Sequence, residues 1–178
     1  MLWPAIEGPL SSSGTPDMPE PFPEREQIVI DDLWAVAEGD SDGKPVILRF
    51  RPGLKDIAGH PAFDHRLVIE WSYEDSEAGM PSQDVVDEMD QFEDRIVDAF
   101  ENDNQAFLVA VITHSGMREW IFYTSDVDES VGRVNAEFGD EDPYPIELVA
   151  VPDAEWEEYL GIIENCQDAD DAPEDEEM

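Results

Sequence analysis

The clearest pattern in the chain is an apolar run, a short polar break and a second apolar run. Ala106–Thr113 is apolar on both alternating faces, as expected of a strand buried on both sides. Met117–Thr124 is rich in aromatic residues that favour a half-buried sheet. The break between them ends on Gly116, which can adopt the positive φ of a tight turn. The pattern therefore predicts a central β-hairpin.

Two other stretches repeat their apolar residues with helical spacing. Ser82–Glu101 predicts a long amphipathic helix behind a capping Ser82. Asp126–Phe138 predicts a second helix that ends at Gly139. The apolar positions of the first helix are Val85, Met89, Phe92, Ile96 and Phe100.

Alternation of apolar and polar residues predicts four further strands. The first two, Gln27–Val36 and Pro45–Arg51, would be joined by a polar turn at Glu38–Gly43. The other two are Arg66–Tyr73 and Pro145–Val151. After the last strand, Asp153 is the predicted cap of a short C-terminal helix, whose apolar residues are Trp156, Tyr159, Leu160 and Ile163.

From Arg66 to Val151 the predicted order is strand, helix, strand, strand, helix, strand. This order predicts an α+β fold of the ferredoxin-like class, a split βαβ (βαββαβ) in which an antiparallel sheet carries both helices on one face. Right-handed crossovers would place the Arg66–Tyr73 and Met117–Thr124 strands at its centre. The N-terminal β-hairpin would either extend the sheet or cover its open face.

The composition predicts one domain between two tails, since 178 residues suffice for one good core. Residues 1–26 form a predicted disordered Pro/Ser-rich tail, with Met18 as an alternative start. Residues 27–163 form the domain, in which 27–65 are the hairpin and a loop and 66–163 the ferredoxin-like core. Residues 164–178 are acidic and contain no base, which predicts a disordered acidic tail.

Charge is the most unusual property of the sequence. The chain has 46 Asp and Glu against 9 Lys and Arg, a formal net charge of −37. Such a surface repels nucleic-acid phosphates and anionic lipid, so neither direct nucleic-acid binding nor membrane binding is expected. Three interpretations stay open: a solubilising surface, attraction for a basic protein partner, and adaptation to a high-salt host.

Three absences narrow the class of protein. Cys166 is the only cysteine, so the chain forms no internal disulfide and no cysteine-rich metal site. No apolar run approaches the roughly 18 residues that a membrane span requires. The N-terminus also lacks the basic and apolar regions of a secretory signal. We therefore expect a cytoplasmic location.

Candidate metal or acid–base residues are few. His60, Asp64 and His65 lie in one predicted loop and could hold a metal ion or act in acid–base chemistry. No third ligand follows with a familiar spacing, so ordinary loop residues are the stronger interpretation. The turn Glu38–Gly43 resembles part of a calcium loop, but Arg49 stands where the closing Glu would be. No cofactor is predicted.

Aromatic residues are candidates for a ligand or interaction surface, with His60 and His65 beside them. Their hydroxyl and indole groups offer polar contacts, although core packing is the alternative for most of them. The six aromatic residues are Trp71, Tyr73, Trp120, Tyr123, Trp156 and Tyr159.

Charged residues offer two more candidates, each with a plainer alternative. Glu93, Asp94 and Glu119 could act as paired acids and bases, or form exposed pairs with nearby arginines. Five of the nine bases fall within 23 residues and would either recognise an anion or pair internally; they are Lys44, Arg49, Arg51, Lys55 and Arg66.

Several short motifs, taken in order, resemble an uncharacterised bacterial family known as domain of unknown function 695. The likeness covers about Leu67 to Leu160. The motifs are Trp71-Ser72-Tyr73, Gly79-Met80-Pro81, Phe92-Glu93-Asp94, Arg118–Thr124, Tyr144-Pro145-Ile146-Glu147 and Asp153…Trp156…Tyr159. The family has no established activity, so the resemblance implies no catalytic residues. Some members are similar to the regulator of ribonuclease E activity B family, which is acidic, ferredoxin-like and binds a nuclease without catalysis.

These observations together predict a non-enzymatic module that binds a basic protein such as a nuclease or toxin, as a regulator or immunity-type inhibitor. The alternative is a small-ligand-binding protein or a metal-assisted enzyme that uses the Pro52–Asp64 loop.

Overall fold

The computed structural model describes residues 22–41, 43–74, 80–139 and 144–171. Two 3₁₀ helices, Arg25–Gln27 and Pro52–Ile57, accompany the regular elements. The strands are β1 (Ala35–Ser41), β2 (Lys44–Phe50), β3 (His65–Ser72), β4 (Ala106–His114), β5 (Met117–Thr124) and β6 (Ile146–Pro152), and the helices are α1 (Gln83–Glu101), α2 (Val127–Phe138) and α3 (Glu157–Asp171).

The strands form one six-stranded sheet in the order β1-β2-β4-β5-β3-β6, and every neighbouring pair is antiparallel. The predicted α+β class is confirmed. The central hairpin is confirmed too, because β4 and β5 pair directly through a turn in which Gly116 has a φ of 86°. Of the two placements left open for the N-terminal hairpin, the structure shows extension of the sheet, since β2 pairs with β4.

Helices α1 and α2 contribute to a core on one face of the sheet. Ser82 caps α1 by accepting the Val85 N–H, as predicted, and Asp126 caps α2 by accepting the Glu129 N–H. Every buried residue of α1 belongs to its predicted apolar stripe; these residues are Met89, Phe92, Ile96 and Phe100. They pack against inward side chains of β3, β4 and β5, among them Leu67, Ile69, Leu108, Trp120 and Phe122.

A second core lies on the opposite face. Here α3 packs with residues from the Pro52–Asp64 region, chiefly Leu54, Ile57 and Phe63. The sheet therefore has α-helices on both faces. The C-terminal helix is also longer than the short helix predicted. It continues to Asp171, so the predicted start of the acidic tail at Glu164 falls inside α3. Ile162 and Ile163 are buried in this core, which explains why the helix docks.

The predicted first strand is wrong in position. Strand β1 begins at Ala35, and the backbone of residues 28–34 is irregular. Polar contacts hold that segment in place: the Asn104 amide donates to the Ile28 carbonyl, and the Asp31 side chain accepts the Leu33 N–H. Glu38, predicted as part of a turn, lies in β1 opposite Ile47.

The structure describes only part of the two predicted tails. Arg25, inside the predicted N-terminal tail, donates to the carbonyls of Asp103 and Asn104 and so ties this segment to the domain. Residues 1–21 and 172–178 lie outside the described residues. Among the described helices, none has the length and apolar character needed to cross a membrane.

Candidate functional site

An arginine-lined groove runs between the β1–β2 hairpin and helix α1. Arg49 lies on β2, and Arg51 directly follows that strand. Arg118 lies on β5, opposite Thr113 of β4. Helix α1 covers the inner strands of this face, and the hairpin extends the sheet past it, so a trough remains beside the helix.

Arg49 and Glu93 form the closest ion pair of the groove. The Arg49 Nη2 donates to Glu93 Oε1 over 2.6 Å, and the Trp120 indole donates to the same oxygen over 2.9 Å. The Glu93 side chain is only 16% exposed. Glu93 is therefore turned inward between helix and sheet, so the prediction that it forms an exposed pair with a nearby arginine is wrong in respect of exposure. Arg95 instead pairs with Glu137 over 3.0 Å.

Arg51 is buried at the floor of the groove with Glu101. Its Nη1 donates to Glu101 Oε2 over 2.9 Å and to the Leu108 carbonyl over 3.2 Å. The Glu101 carboxylate also accepts the Leu108 N–H. Burial raises the pKa of Glu101 in spite of the opposing charge of Arg51. Within the described residues, the buried Nε of Arg51 has no hydrogen-bond partner.

Trp34 packs over the guanidinium groups of Arg49 and Arg51. The guanidinium carbons of Arg49 and Arg51 lie 4.9 Å and 4.8 Å from its ring centroid, which is cation–π distance. The Trp34 indole donates to Asp32. This packing joins the irregular segment before β1 to the floor of the groove.

Two cavities occupy the groove. One of about 460 Å³ is polar, and its walls include Trp34, Arg51 and the carboxylates of Asp32, Glu93, Asp94 and Asp98. The other, of about 300 Å³, is mostly apolar and contains Arg49 and Arg118. Arg49 lines one cavity and Glu93 the other, so their ion pair stands between the two.

The outer face of α1 is almost entirely acidic. Its only base is Arg95, whose guanidinium lies 4.6 Å from the Phe138 ring and also donates to Glu137. The exposed carboxylates of α1 are Asp84, Asp87, Glu88, Asp90, Asp94 and Asp98.

Every arginine of the chain is paired with a carboxylate of the same chain. Nine bases include two lysines, Lys44 and Lys55, which leaves seven arginines. Each arginine has a carboxylate oxygen within 3.9 Å. For Arg49, Arg51 and Arg66 the structure therefore shows internal pairing, the second of the two predicted alternatives.

The predicted aromatic surface is divided between the two faces of the sheet. Trp71 and Trp120 are buried with α1 and α2, and Tyr73 packs partly buried against that core. Tyr123, Trp156 and Tyr159 are buried with α3 on the other face. The six aromatic residues thus do not form one surface, and five of them are core residues.

The predicted histidines are also separated. His60 is 4% exposed, accepts the Ala62 N–H at Nδ1 and donates from Nε2 to the Pro23 carbonyl, so it ties the N-terminal segment to the loop. His65 lies on β3, half-buried, 3.0 Å from Asp64. Among the described residues, no three His, Cys, Asp or Glu side chains are placed to hold a metal ion.

The predicted calcium-like turn is part of a hairpin. Asp40 accepts the Gly43 N–H, and Gly43 has a φ of 84°. Asp42 lies outside the described residues. Of the remaining candidates, Asp94 is an exposed residue of α1, whereas Glu119 lies on β5 and contacts His114 at 3.0 Å. Glu93 and Glu119 have different partners and do not form an acid–base pair.

Sequence reasoning missed Trp34 and the place of Arg118 in the groove. Trp34 lies outside any strand, and its packing depends on tertiary structure alone. Arg118 is 67 residues from Arg51 in sequence, and only the pairing of the strands brings it close to Arg49 and Arg51. The one local signal was the concentration of bases near β2.

The fold and the site define the protein as an antiparallel α+β domain with an acidic exterior and an arginine-lined groove. The model of a family of unknown function (DUF695) matches residues 32–162, which is more than half of the chain. The chain therefore belongs to that family. No curated protein and no solved structure matches it.

Proposed function

We propose that the protein is a non-enzymatic interaction module that docks a basic protein on the acidic face of α1. The observation that carries this proposal is the segregation of charge. Each arginine has a carboxylate of the same chain within 3.9 Å, whereas six carboxylates of α1 are exposed and that helix carries one base. Such a field attracts a basic surface and accelerates encounter, and salt weakens it.

The kind of partner and the finer fold class belong to the same proposal. The strands β3, β4, β5 and β6 lie in the order β4-β5-β3-β6 with α1 and α2 as crossovers, which supports a ferredoxin-like unit. The resemblance of some family members to the regulator of ribonuclease E activity B family favours a nuclease or another nucleic-acid-binding protein as the proposed partner, and an acidic face can bind the basic groove of such a protein. We propose that this takes place in the cytoplasm.

The experiment uses two matched variants. In the first, four α1 acids become amides: Asp84→Asn, Asp87→Asn, Glu88→Gln and Asp98→Asn. In the second, four exposed acids elsewhere are neutralised: Glu38→Gln, Asp56→Asn, Glu147→Gln and Glu155→Gln. Asp90 is kept because it lies 3.9 Å from Arg118.

Both variants and the native chain are used for affinity capture from the source cell at 50 mM and 500 mM salt, with quantitative mass spectrometry. We expect a basic protein that the native chain and the second variant retain at low salt and the first variant loses. Equal loss from both variants would indicate a non-specific charge effect. Recovery of no basic protein at low salt would contradict the proposal.

A further inference from the structure

The smaller cavity of the groove combines an apolar lining with a buried cation. It lies where the hairpin meets the start of α1 and has a volume of about 300 Å³. Its apolar lining includes Val36, Ile47, Val86 and Val111. Its charged and polar groups are Arg49, Thr113 and Arg118.

Arg118 is the group whose charge is least compensated. Its side chain is 13% exposed, and its Nε donates to the neutral hydroxyl of Thr113 over 2.8 Å. The carboxylate paired with it, Asp90, lies 3.9 Å from Nη1, and Asp90 itself is 64% exposed. Burial, and then the charge of Arg49, lower the pKa of Arg118. Burial of a guanidinium costs free energy unless the charge is closely paired. Binding of an anion next to Arg118 would therefore be favourable.

We propose that the cavity binds a small monocarboxylate with a short apolar tail. The carboxylate pairs with the guanidinium of Arg118, and the tail lies against the valines and Ile47. This binding site is independent of the docking of a basic protein on the outer face of α1.

The charges of the site select a carboxylate with one negative charge. A planar carboxylate matches the fork of one guanidinium, and such pairs can form two parallel hydrogen bonds. Arg49 is already bound to Glu93 over 2.6 Å, whereas the carboxylate paired with Arg118 is the exposed Asp90 at 3.9 Å, so Arg118 is the more weakly paired of the two cations. Glu93 and the net charge of −37 would repel a polyanion more strongly than a monocarboxylate. The apolar wall further favours an alkyl tail over a polar one.

The size of the cavity limits the tail to a few carbons. Its volume lies at the lower end of the roughly 300–1,000 Å³ typical of ligand sites. Hexanoate is a suitable probe, and hexanamide is its neutral counterpart of the same shape. For a ligand with so few atoms, a dissociation constant on the order of 1 mM is expected.

The test is a titration of the full chain with each probe, followed by two-dimensional amide NMR. We expect hexanoate to shift resonances around Arg118, Val86 and Val111, and hexanamide to bind at least tenfold more weakly. In Arg118→Met the hexanoate shifts should disappear. Lys55→Met removes the same charge at an exposed position on the other side of the sheet, and it should bind hexanoate as the native chain does.

A second pair of variants tests the binding site if Arg118→Met does not fold. Val36 is 62% exposed on the edge strand β1, so Val36→Glu places a carboxylate at the cavity without a change in the core. We expect Val36→Glu to weaken hexanoate binding at least tenfold and Val36→Gln to change it by less than threefold. Equal binding of hexanamide, or hexanoate shifts confined to another part of the chain, would overturn the proposal.

The salt dependence of binding distinguishes this proposal from the docking of a basic protein. Added salt screens the longer-range repulsion between hexanoate and the exposed acids more than it screens the ion pair with Arg118, which is only 13% exposed, so the affinity should hold or rise between 50 mM and 500 mM. Capture of a basic partner should weaken over the same range. Either result can fail without the other.

Discussion

The two faces of the sheet are held by different kinds of contact. On the face that carries α1 and α2, Phe92 lies between four other rings, with centroid distances of 4.8 Å to Phe138, 5.0 Å to Trp120 and 5.6 Å to both Trp71 and Tyr144. On the face of α3, Trp156 and Tyr159 also donate hydrogen bonds to backbone carbonyls. Trp156 stacks on Tyr123 at 4.1 Å, and its indole donates to the Phe63 carbonyl.

The difference follows from the backbone beneath each core. Regular helices satisfy their own N–H and C=O groups, so α1 and α2 can present an apolar stripe. Arg51 and Phe63, which lie beneath α3, are outside the strands and helices, so their buried carbonyls need donors from side chains. Tyr159 supplies one, since its hydroxyl donates to the Arg51 carbonyl over 2.6 Å. Burial raises the pKa of Tyr159, so the hydroxyl retains the proton that it donates.

The largest effect is expected from Phe92→Ala on the α1–α2 face. Phe92 is fully buried, so its truncation removes packing on four rings and leaves a cavity. We expect the free energy of unfolding to fall by about 3–5 kcal/mol, measured by urea denaturation. Gln91→Ala, at an exposed position beside it on α1, is the control and should change stability by less than about 0.5 kcal/mol. Similar losses in the two variants would contradict an apolar core centred on Phe92.

An intermediate effect is expected from removal of one hydroxyl on the α3 face. Tyr159→Phe leaves the Arg51 carbonyl without this donor, so stability should fall by about 1–3 kcal/mol. Tyr144→Phe is the matched change on the other face. Within the described residues the Tyr144 hydroxyl makes no hydrogen bond, so its loss should cost less than about 0.5 kcal/mol. Equal losses by urea denaturation would show that the two faces do not differ in this way.

The same contrast explains what the sequence could predict of the fold. Helix α1 and the central hairpin were predicted within one residue of their limits, because periodicity reports local backbone and one buried face. The segment before β1 was misplaced because its course depends on distant donors such as the Asn104 amide. Helix α3 was predicted too short because the acidic residues after Ile163 hid a helix that tertiary packing stabilises.

The candidate site was less predictable than the fold. Sequence showed the concentration of bases near β2 and the acidity of α1, which are both properties of adjacent residues. It could not show that Glu93 turns inward, because Glu93 borders the apolar stripe and its direction is set by the Trp120 indole and by Arg49. Nor could it join Arg118 to Arg49, since strand register is not encoded in either strand alone.

The smallest effect concerns Asp153, which joins α3 to the sheet. Burial alone would raise its pKa, but the N–H groups of Glu157 and Glu158 and the Tyr123 hydroxyl donate to it and hold its pKa below the usual value. The unfolded chain therefore binds this proton more readily than the native one. The stability that Asp153 contributes is present above about pH 4 and is lost as the pH falls through the lower native pKa.

Asp153→Asn tests this contribution without removal of the carbonyl acceptor. At pH 7 we expect the variant to be less stable by about 1 kcal/mol, and the difference from the native chain should shrink as the pH falls below 4. The informative quantity is the difference in free energy of unfolding between the variant and the native chain. The pH dependence of the native chain alone is not sufficient, because protonation of the many surface acids relieves repulsion at the same time. Asp128→Asn, an exposed acid in the first turn of α2, should change stability by less than about 0.5 kcal/mol. A difference for Asp153→Asn that stays constant from pH 7 to pH 3 would show that its charge does not hold α3 against the sheet.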